Sequence, residues 1–160
     1  MLNKEYISNL FYYKDGDLYW KNPTAKCMKK NDFAGKKRKD GYIDIKINGK
    51  IYLAHRLIFL YHHGYLPKYI DHIDGNQLNN KVENLREATQ QENCKNSKIS
   101  KANTSGVKNV SFNKKSKKWQ VSLSIDKKLK HIGFYDDLEL AEFVAIEARN
   151  KYYKEFARHS

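Results

Sequence analysis

The period of apolar and polar positions changes along this chain, and the changes mark out its elements. Phe11 to Lys14 and Asp17 to Trp20 are two aromatic runs around Asp15-Gly16, a dipeptide suited to the left-handed backbone of a tight hairpin. Tyr42 to Ile47 alternates apolar with polar residues, the period of a half-buried strand. Asn48-Gly49 then turns the chain back into Lys50-Ile51-Tyr52-Leu53. Between the two hairpins, Lys26 to Lys39 is lysine-rich and reads as an exposed basic loop.

From Ala54 to His63 the period lengthens. Leu57, Ile58, Leu60 and Tyr61 fall at helical spacing, with Gly64 where a C-cap belongs. Leu66-Pro67 breaks into an extended run ending at Ile70-Asp71-His72. Asp74 to Asn80 is loop chemistry, because Asp, Asn and Gly tolerate left-handed backbone and bond locally. A short extended piece, Asn84-Leu85-Arg86, leads to Thr89, with Glu92 three residues on as a capping box. That predicts a helix from about Gln90 that carries Asn93.

Asn96 to Gly106 is polar, basic and aperiodic, and reads as a linker and an arm that could track a nucleic-acid backbone. Beyond it, Val107 to Phe112, Lys118 to Ile125 and Lys128 to Tyr135 read as strands, the last two joined at Asp126-Lys127. Asp136 or Asp137 caps a helix over Leu138 to Phe156, with Leu140, Ala141, Val144, Ala145, Ala148 and Tyr152 on one face. The expected unit is a three-stranded sheet with one face under a helix and the other left open.

Charge narrows the class of partner. The chain has 31 Lys plus Arg against 18 Asp plus Glu, a formal net charge of +13. Such an excess repels itself and fits a polyanion. At 40% hydrophobic residues it is too apolar for a disordered basic tail. No run approaches the ~18 apolar residues that span a bilayer. Met1-Leu2-Asn3-Lys4-Glu5 lacks the basic start and apolar run of a secretory signal, so the expectation is a cytoplasmic protein. Cys27 and Cys94 have no CxxC pair and read as buried or partly buried reduced thiols.

The sharpest chemistry lies around Asp71 and His72. Phosphodiester hydrolysis needs a base to activate water and a cation to offset charge on the phosphate, and the base must be held in the right tautomer. Adjacent strand residues point to opposite sides, so one can bind a cation while the other faces water. Ile70-Asp71-His72-Ile73-Asp74-Gly75-Asn76, Leu78-Asn79-Asn80, Asn84-Leu85-Arg86, Ala88-Thr89 and Glu92-Asn93 together resemble the ββα-metal core of HNH endonucleases. The likeness is to the H-N-N branch found in phage and intron-encoded homing enzymes, and it covers about Tyr42 to Asn96. It implies His72 as general base, with Asp71 and Asn93 as protein ligands of one divalent cation. It also implies Asn84 as the residue that braces the loop and orients His72. An amide in place of a final imidazole favours a hard cation, Mg²⁺ or Mn²⁺. Asp74 is expected to shape the turn. His55, beside Arg56, is either a phosphate contact or a packed histidine. His62, His63 and His159 are expected at the surface.

In the C-terminal part, Val107-Lys108-Asn109-Val110-Ser111, Lys118-Trp119-Gln120-Val121, His131-Ile132-Gly133-Phe134-Tyr135 and the helix around Glu139 to Ala141 resemble the AP2 domain. That domain lays a three-stranded sheet in the DNA major groove. The resemblance implies a DNA-binding face drawn from Lys108, Ser111, Asn113, Lys115, Lys117, Lys118, Trp119, Gln120, Ser122, Ser124, Lys130 and His131. No Arg precedes Arg149 here, so phosphate positioning with modest base selection is expected. Trp119 is open between core packing and base contact; Gly133 reads as backbone geometry and Phe134 as core.

The sequence thus predicts an α+β protein. Residues 1–95 form a ββα-metal (HNH) nuclease domain with N-terminal hairpins, 96–106 a basic linker and 107–160 an AP2-like DNA-binding domain. The expected function is metal-dependent endonuclease action on double-stranded DNA, site-selective nicking of a homing type, by a monomer or weak dimer of phage or mobile-element origin. No membrane or protein partner is implied. A non-catalytic DNA-binding regulator on the same scaffold is the alternative from a different class, and a structured-RNA binder is a third.

Overall fold

The computed structural model describes residues 2–159 and divides into two compact units, residues 1–89 and 90–160. It is a mixed α and β structure of small antiparallel sheets with four helices. The division falls at Thr89/Gln90, ahead of the expected linker.

The first unit opens with α1 (Lys4–Leu10), a helix that the hydrophobic pattern does not announce. Seven residues give fewer than two turns of periodicity, but the cap is local: Asn3 Oδ1 accepts the Tyr6 N–H at 2.8 Å. Then come β1 (Phe11–Lys14) and β2 (Asp17–Trp20), paired from Phe11↔Trp20 to Lys14↔Asp17. Asp15 and Gly16 both take positive φ, as a two-residue hairpin turn of this hand requires. The basic loop contains a two-residue strand, β3 (Lys36–Lys37), on the edge of β4 (Ile43–Ile47) and β5 (Lys50–Leu53). Ile43, Ile45 and Ile47 point into the core on alternate residues.

Helix α2 (Ala54–His63) is the hub of this core. Leu57, Ile58, Phe59 and Leu60 are buried among Ile7, Leu10, Phe11 and Leu18 from α1 and the first hairpin. Gly64 ends it at φ 82°, its N–H bonding Leu60 O. Arg56 then ties α2 to the chain that follows: its guanidinium donates to Pro67 O at 3.0 Å and Lys68 O at 3.3 Å. That chain becomes β6 (Tyr69–His72), which pairs with β7 (Leu85–Ala88) so that Asp71 faces Arg86 and His72 faces Leu85. A short 3-10 turn, Val82–Asn84, enters β7.

The second unit begins with α3 (Gln90–Lys95). The Asn96 to Gly106 segment is not an unstructured tether throughout. Asn103 Oδ1 accepts from the Ser105 and Gly106 N–H groups, and Ser105 Oγ donates to Val107 O and Val110 O. These bonds fix the entry to β8 (Val110–Asn113), which pairs with β9 (Lys118–Ile125), and β9 with β10 (Lys128–Tyr135). Between His131 and Gly133 the β9–β10 register slips by a residue. A Cβ on Gly133 would come within 2.6 Å of Tyr135 Oη, so a side chain there would have to displace the Tyr135 ring.

Helix α4 (Leu138–Tyr153) is capped by Asp137, whose Oδ2 accepts the Leu140 N–H at 3.0 Å. It packs Ala141, Ala145 and Ala148 on Val110, Val121 and Leu123. Leu140, expected on that face, is 50% exposed, as is Phe143 at 61%; the seated stripe is narrower than the periodicity suggested and made of small residues. Buried Arg149 donates to Lys108 O at 2.6 Å, closing the helix onto the strand entry. Because Ala145 is fully enclosed between helix and sheet, Ala145→Leu should lower unfolding free energy by about 1–3 kcal/mol in urea titration through overpacking. A neutral result would show that the helix–sheet seam is loose.

Candidate functional site

The end of β6 carries two polar side chains into the protein: Asp71 is 8% exposed and His72 6%. Burial of such groups costs several kcal/mol unless each is partnered, so the neighbours decide what the site can do. Arg86, across the ladder, donates to Asp71 Oδ2 from Nε at 2.9 Å and from Nη2 at 2.8 Å. Two donors from one guanidinium fix the carboxylate on the strand. Arg86 belongs to the motif, but nothing in spacing alone distinguishes it from any strand arginine. The cross-strand pairing reveals its role.

His72 Nε2 lies 2.9 Å from Asn80 Oδ1, and Asn80 is 2% exposed. The ring sits among aromatics: the His55 centroid is 5.1 Å away and that of Tyr42 6.2 Å. His55 is itself buried, which resolves the two readings of it in favour of a packed histidine. Burial, with the His72 and Arg56 charges adding to it, pushes its pKa down to about 3. A neutral ring therefore lies against His72.

Asn84 organises the loop between His72 and itself. Its Oδ1 accepts the Asp74 N–H at 3.0 Å, and its Nδ2 donates to Asp74 Oδ1 at 2.9 Å and Asn79 O at 2.7 Å. Asp74 also accepts from the Asn76 N–H and from Asn79 Nδ2, and these hydrogen bonds hold its carboxyl below the ordinary range against the opposing effect of burial. Asp74 thus shapes the turn, as expected. The polar atoms of the Asn84 side chain bond the loop, so its influence on His72 passes through the loop. Asn80 meets the ring within the same motif, where nothing in spacing distinguishes it from the other loop asparagines.

Asn93 lies on α3 in the second unit. Its Oδ1 is buried and, among the described residues, accepts no hydrogen bond. HNH nucleases generally use a divalent metal. Among the described residues no three His, Cys, Asp or Glu side chains cluster as a metal cage. Taken singly, the donors expected from the sequence suit a hard cation: a carboxylate at Asp71 in the first unit and, in the second, an Asn93 amide oxygen that accepts no hydrogen bond among the described residues.

In the second unit, strand parity sorts the residues expected to meet DNA. Ser111, Asn113, Lys118, Gln120, Ser122, Ser124 and His131 lie on the sheet face turned away from α4. Asn113, Gln120 and His131 are linked across it by contacts of 3.4 Å each, and Lys118 pairs with Asp136 at 3.0 Å. Lys115 and Lys117 sit in the exposed turn between β8 and β9. Three others do not join this face. Lys108 is 9% exposed, its ammonium donating to Lys95 O and Ser97 O, and burial pushes its pKa down to about 8. Trp119 packs against the core beneath α4. Lys130 pairs with Leu123 and turns to the helix side, 2.9 Å from Tyr152 Oη. Phe134 reverses the other way: expected in the core, it is 44% exposed on the outer face beside His131. The register slip at Gly133 carries it there. Cys27 and Cys94 are exposed thiols, not buried ones. His63 and His159 are exposed, and His62 is partly covered against Tyr13. No helix among the described residues is long and apolar enough to cross a membrane.

Residues 52–95, from β5 through α3, match the family model described as HNH endonuclease. Protein 3.8 of Escherichia phage T7 is 39% identical over 97 residues, 59% of this chain and 79% of that protein. An SPbeta prophage-derived protein of Bacillus subtilis (strain 168), named as a candidate HNH homing endonuclease, is 46% identical over 55 residues, 33% of this chain and 32% of its own. The uncharacterized HNH endonuclease L560 of Acanthamoeba polyphaga mimivirus is 45% identical over 78 residues, 47% of this chain and 41% of its own. No solved structure matches. The class is that of proteins with an HNH endonuclease domain, and family and names together support a nuclease. The chain belongs to the family that includes the T7 protein.

The depressed pKa of His55 has a definite sign in stability. An unfolded histidine takes up its proton near 6.5, whereas the folded one does so only at about 3. Between those values the unfolded state holds more protons, so stability falls as pH falls from about 6.5 towards 3. In urea unfolding across that range, His55→Phe should flatten the slope by up to one proton. An unchanged slope would mean that His55 is protonated in the fold.

Proposed function

We propose that the protein is a metal-dependent endonuclease on double-stranded DNA. The observation that carries this reading is the buried His72, fixed next to the Arg86-bound Asp71 at the end of β6, inside the stretch that matches the HNH model. The ββα-metal reading of β6, β7 and α3 rests on the same match. In the proposed reaction His72 takes a proton from a water molecule, whose oxygen attacks the phosphorus. The P–O3′ bond breaks, leaving a 5′-phosphate and a 3′-hydroxyl. Asp71 and Asn93 are the residues that would hold the cation. When bound, Mg²⁺ or Mn²⁺ would offset the charge that builds on the phosphate and leaving oxygen. Asn84 acts by keeping the 74–84 loop in shape.

The second unit is proposed to position the duplex in the manner of an AP2 sheet, with a two- or three-stranded ribbon in the major groove. What supports it is the outward row of Ser111, Asn113, Gln120, Ser122, Ser124 and His131, flanked by Lys115, Lys117 and Lys118. Exposed Phe134 adds an aromatic surface to that row. A homing-type, site-selective nick is in keeping with the name of the Bacillus subtilis relative; one such site per chain makes nicking natural for a monomer, whereas a double-strand break would need dimerisation or two sequential events.

A supercoiled-plasmid assay tests the reading. Nicking should require Mg²⁺ or Mn²⁺ and fall by ~10²-fold or more in His72→Ala; Asp71→Ala and Asn93→Ala should each raise the metal concentration needed. Intact plasmid with the unaltered protein, alongside retained DNA binding, would replace this reading with that of a non-catalytic DNA regulator. The sheet face has its own measurement. Lys115→Ala should reduce the salt slope of DNA binding by about 1, whereas Lys130→Ala, on the helix side, should leave it unchanged. The reverse order would mean that the wrong face has been assigned to DNA.

A further inference from the structure

We propose that Asn80 is the positioning residue that sets the tautomer of His72: its Oδ1 accepts the Nε2–H, so that Nδ1 carries the lone pair a base needs. The inference deepens the nuclease reading and rests on it for its consequence in catalysis, though not for the tautomer itself.

The geometry is specific. Asn80 is the most buried polar residue on this loop, at 2% exposure, and its carboxamide oxygen is 2.9 Å from His72 Nε2. In a neutral imidazole one nitrogen donates and the other accepts, so a carbonyl partner at Nε2 selects which nitrogen keeps the proton. A buried amide that lost this partner would carry an uncompensated polar atom. The pairing therefore stabilises the loop and selects the tautomer together.

Asn80 is also clamped on both sides. The Gly16 turn of the first hairpin packs against it, for a Cβ on Gly16 would meet Lys81 N at 3.0 Å and the Asn80 carbonyl carbon at 3.4 Å. Tyr13 Oη accepts the Val82 N–H at 3.2 Å just beyond. On the other side Asn84 Nδ2 holds Asn79 O. Hairpin β1–β2 thus acquires a part in the chemistry: it fixes the backbone from which Asn80 reaches the ring. Asn84, whose side-chain bonds go to Asp74 and Asn79, does not compete for His72.

The test reads the imidazole directly. With ¹⁵N-labelled full-length protein and no added metal, at about pH 8.5 where an ordinary imidazole is neutral, the ¹⁵N shifts of His72 should report the Nε2–H tautomer. Asn80→Ala should give a mixture of tautomers. Asn80→Asp, which keeps the acceptor and the shape, should restore Nε2–H. In plasmid nicking, Asn80→Ala should lower kcat by ~10- to 100-fold with KM within about 2-fold, and Asn80→Asp should recover most of it. A dominant Nδ1–H tautomer in the unaltered protein overturns the proposal even if no variant folds, as does an unchanged tautomer in folded Asn80→Ala. If the unaltered protein nicks nothing while the tautomer responds to Asn80, the nuclease reading fails and this one stands.

Discussion

A strand that ends by turning an aspartate and a histidine into the protein is unstable on its own, because each buried polar atom lost water that something must replace. Much of the local architecture of the first unit supplies that replacement. Arg86 comes from the paired strand to Asp71, Asn80 from the loop to His72, and Asn84 from the loop's far end to Asp74 and Asn79. The loop from 73 to 84 has almost no apolar content to hold it down: Ile73 and Leu78 are both largely exposed. Its shape is held by carboxamides bonding one another and the backbone. This explains why so many Asn residues occur in so short a stretch. Each offers a donor and an acceptor and tolerates the tight turns that the path requires.

The packing beneath carries the same constraint outward. His55, on the hub helix, is large, aromatic and uncharged in place, so it fills space against His72 as a neutral ring. Arg56, next along, has turned away to the Pro67 and Lys68 carbonyls and fixes where β6 begins. One dipeptide thus sets both the wall of the site and the entry to its strand, a local division of labour that follows from the hundred-degree step of a helix.

Much of this was legible from residues alone, and the exceptions share a cause. Hairpins with Asp-Gly and Asn-Gly turns, helix α2 with its Gly64 cap, and the strand ending in Asp71-His72 have strong short-range signals, and the structure has them all. Helix α1 was missed because its apolar residues, Ile7 and Leu10, make a single i, i+3 step too short to register as a period. Lys108 was misplaced because β8 begins only at Val110 and leaves it in the entry turn, Lys130 because it alternates with outward His131, and Phe134 because sequence gives the alternation of a strand but not its phase. A one-residue slip at Gly133 exchanges which side chains face the helix. Asn80 went unassigned for a different reason. Among several loop asparagines only the fold selects the one whose oxygen lies at the ring.

The polar site also bears on the choice between enzyme and simple binder. Buried ion pairs and carboxamide networks seldom add stability over well-packed apolar residues of the same volume. A protein that used this unit only as a scaffold would have no need of the Asp71–Arg86 pair or of an imidazole at position 72. Binding DNA does not require them either: exposed lysines supply the phosphate contacts and their salt dependence. A buried imidazole and ion pair that electrostatic attachment does not need are the expected signature of a group held ready to react. In the second unit the buried polar side chains among the described residues include Asn96, Lys108 and Arg149, of which Lys108 and Arg149 tie the strand entry to α3 and α4.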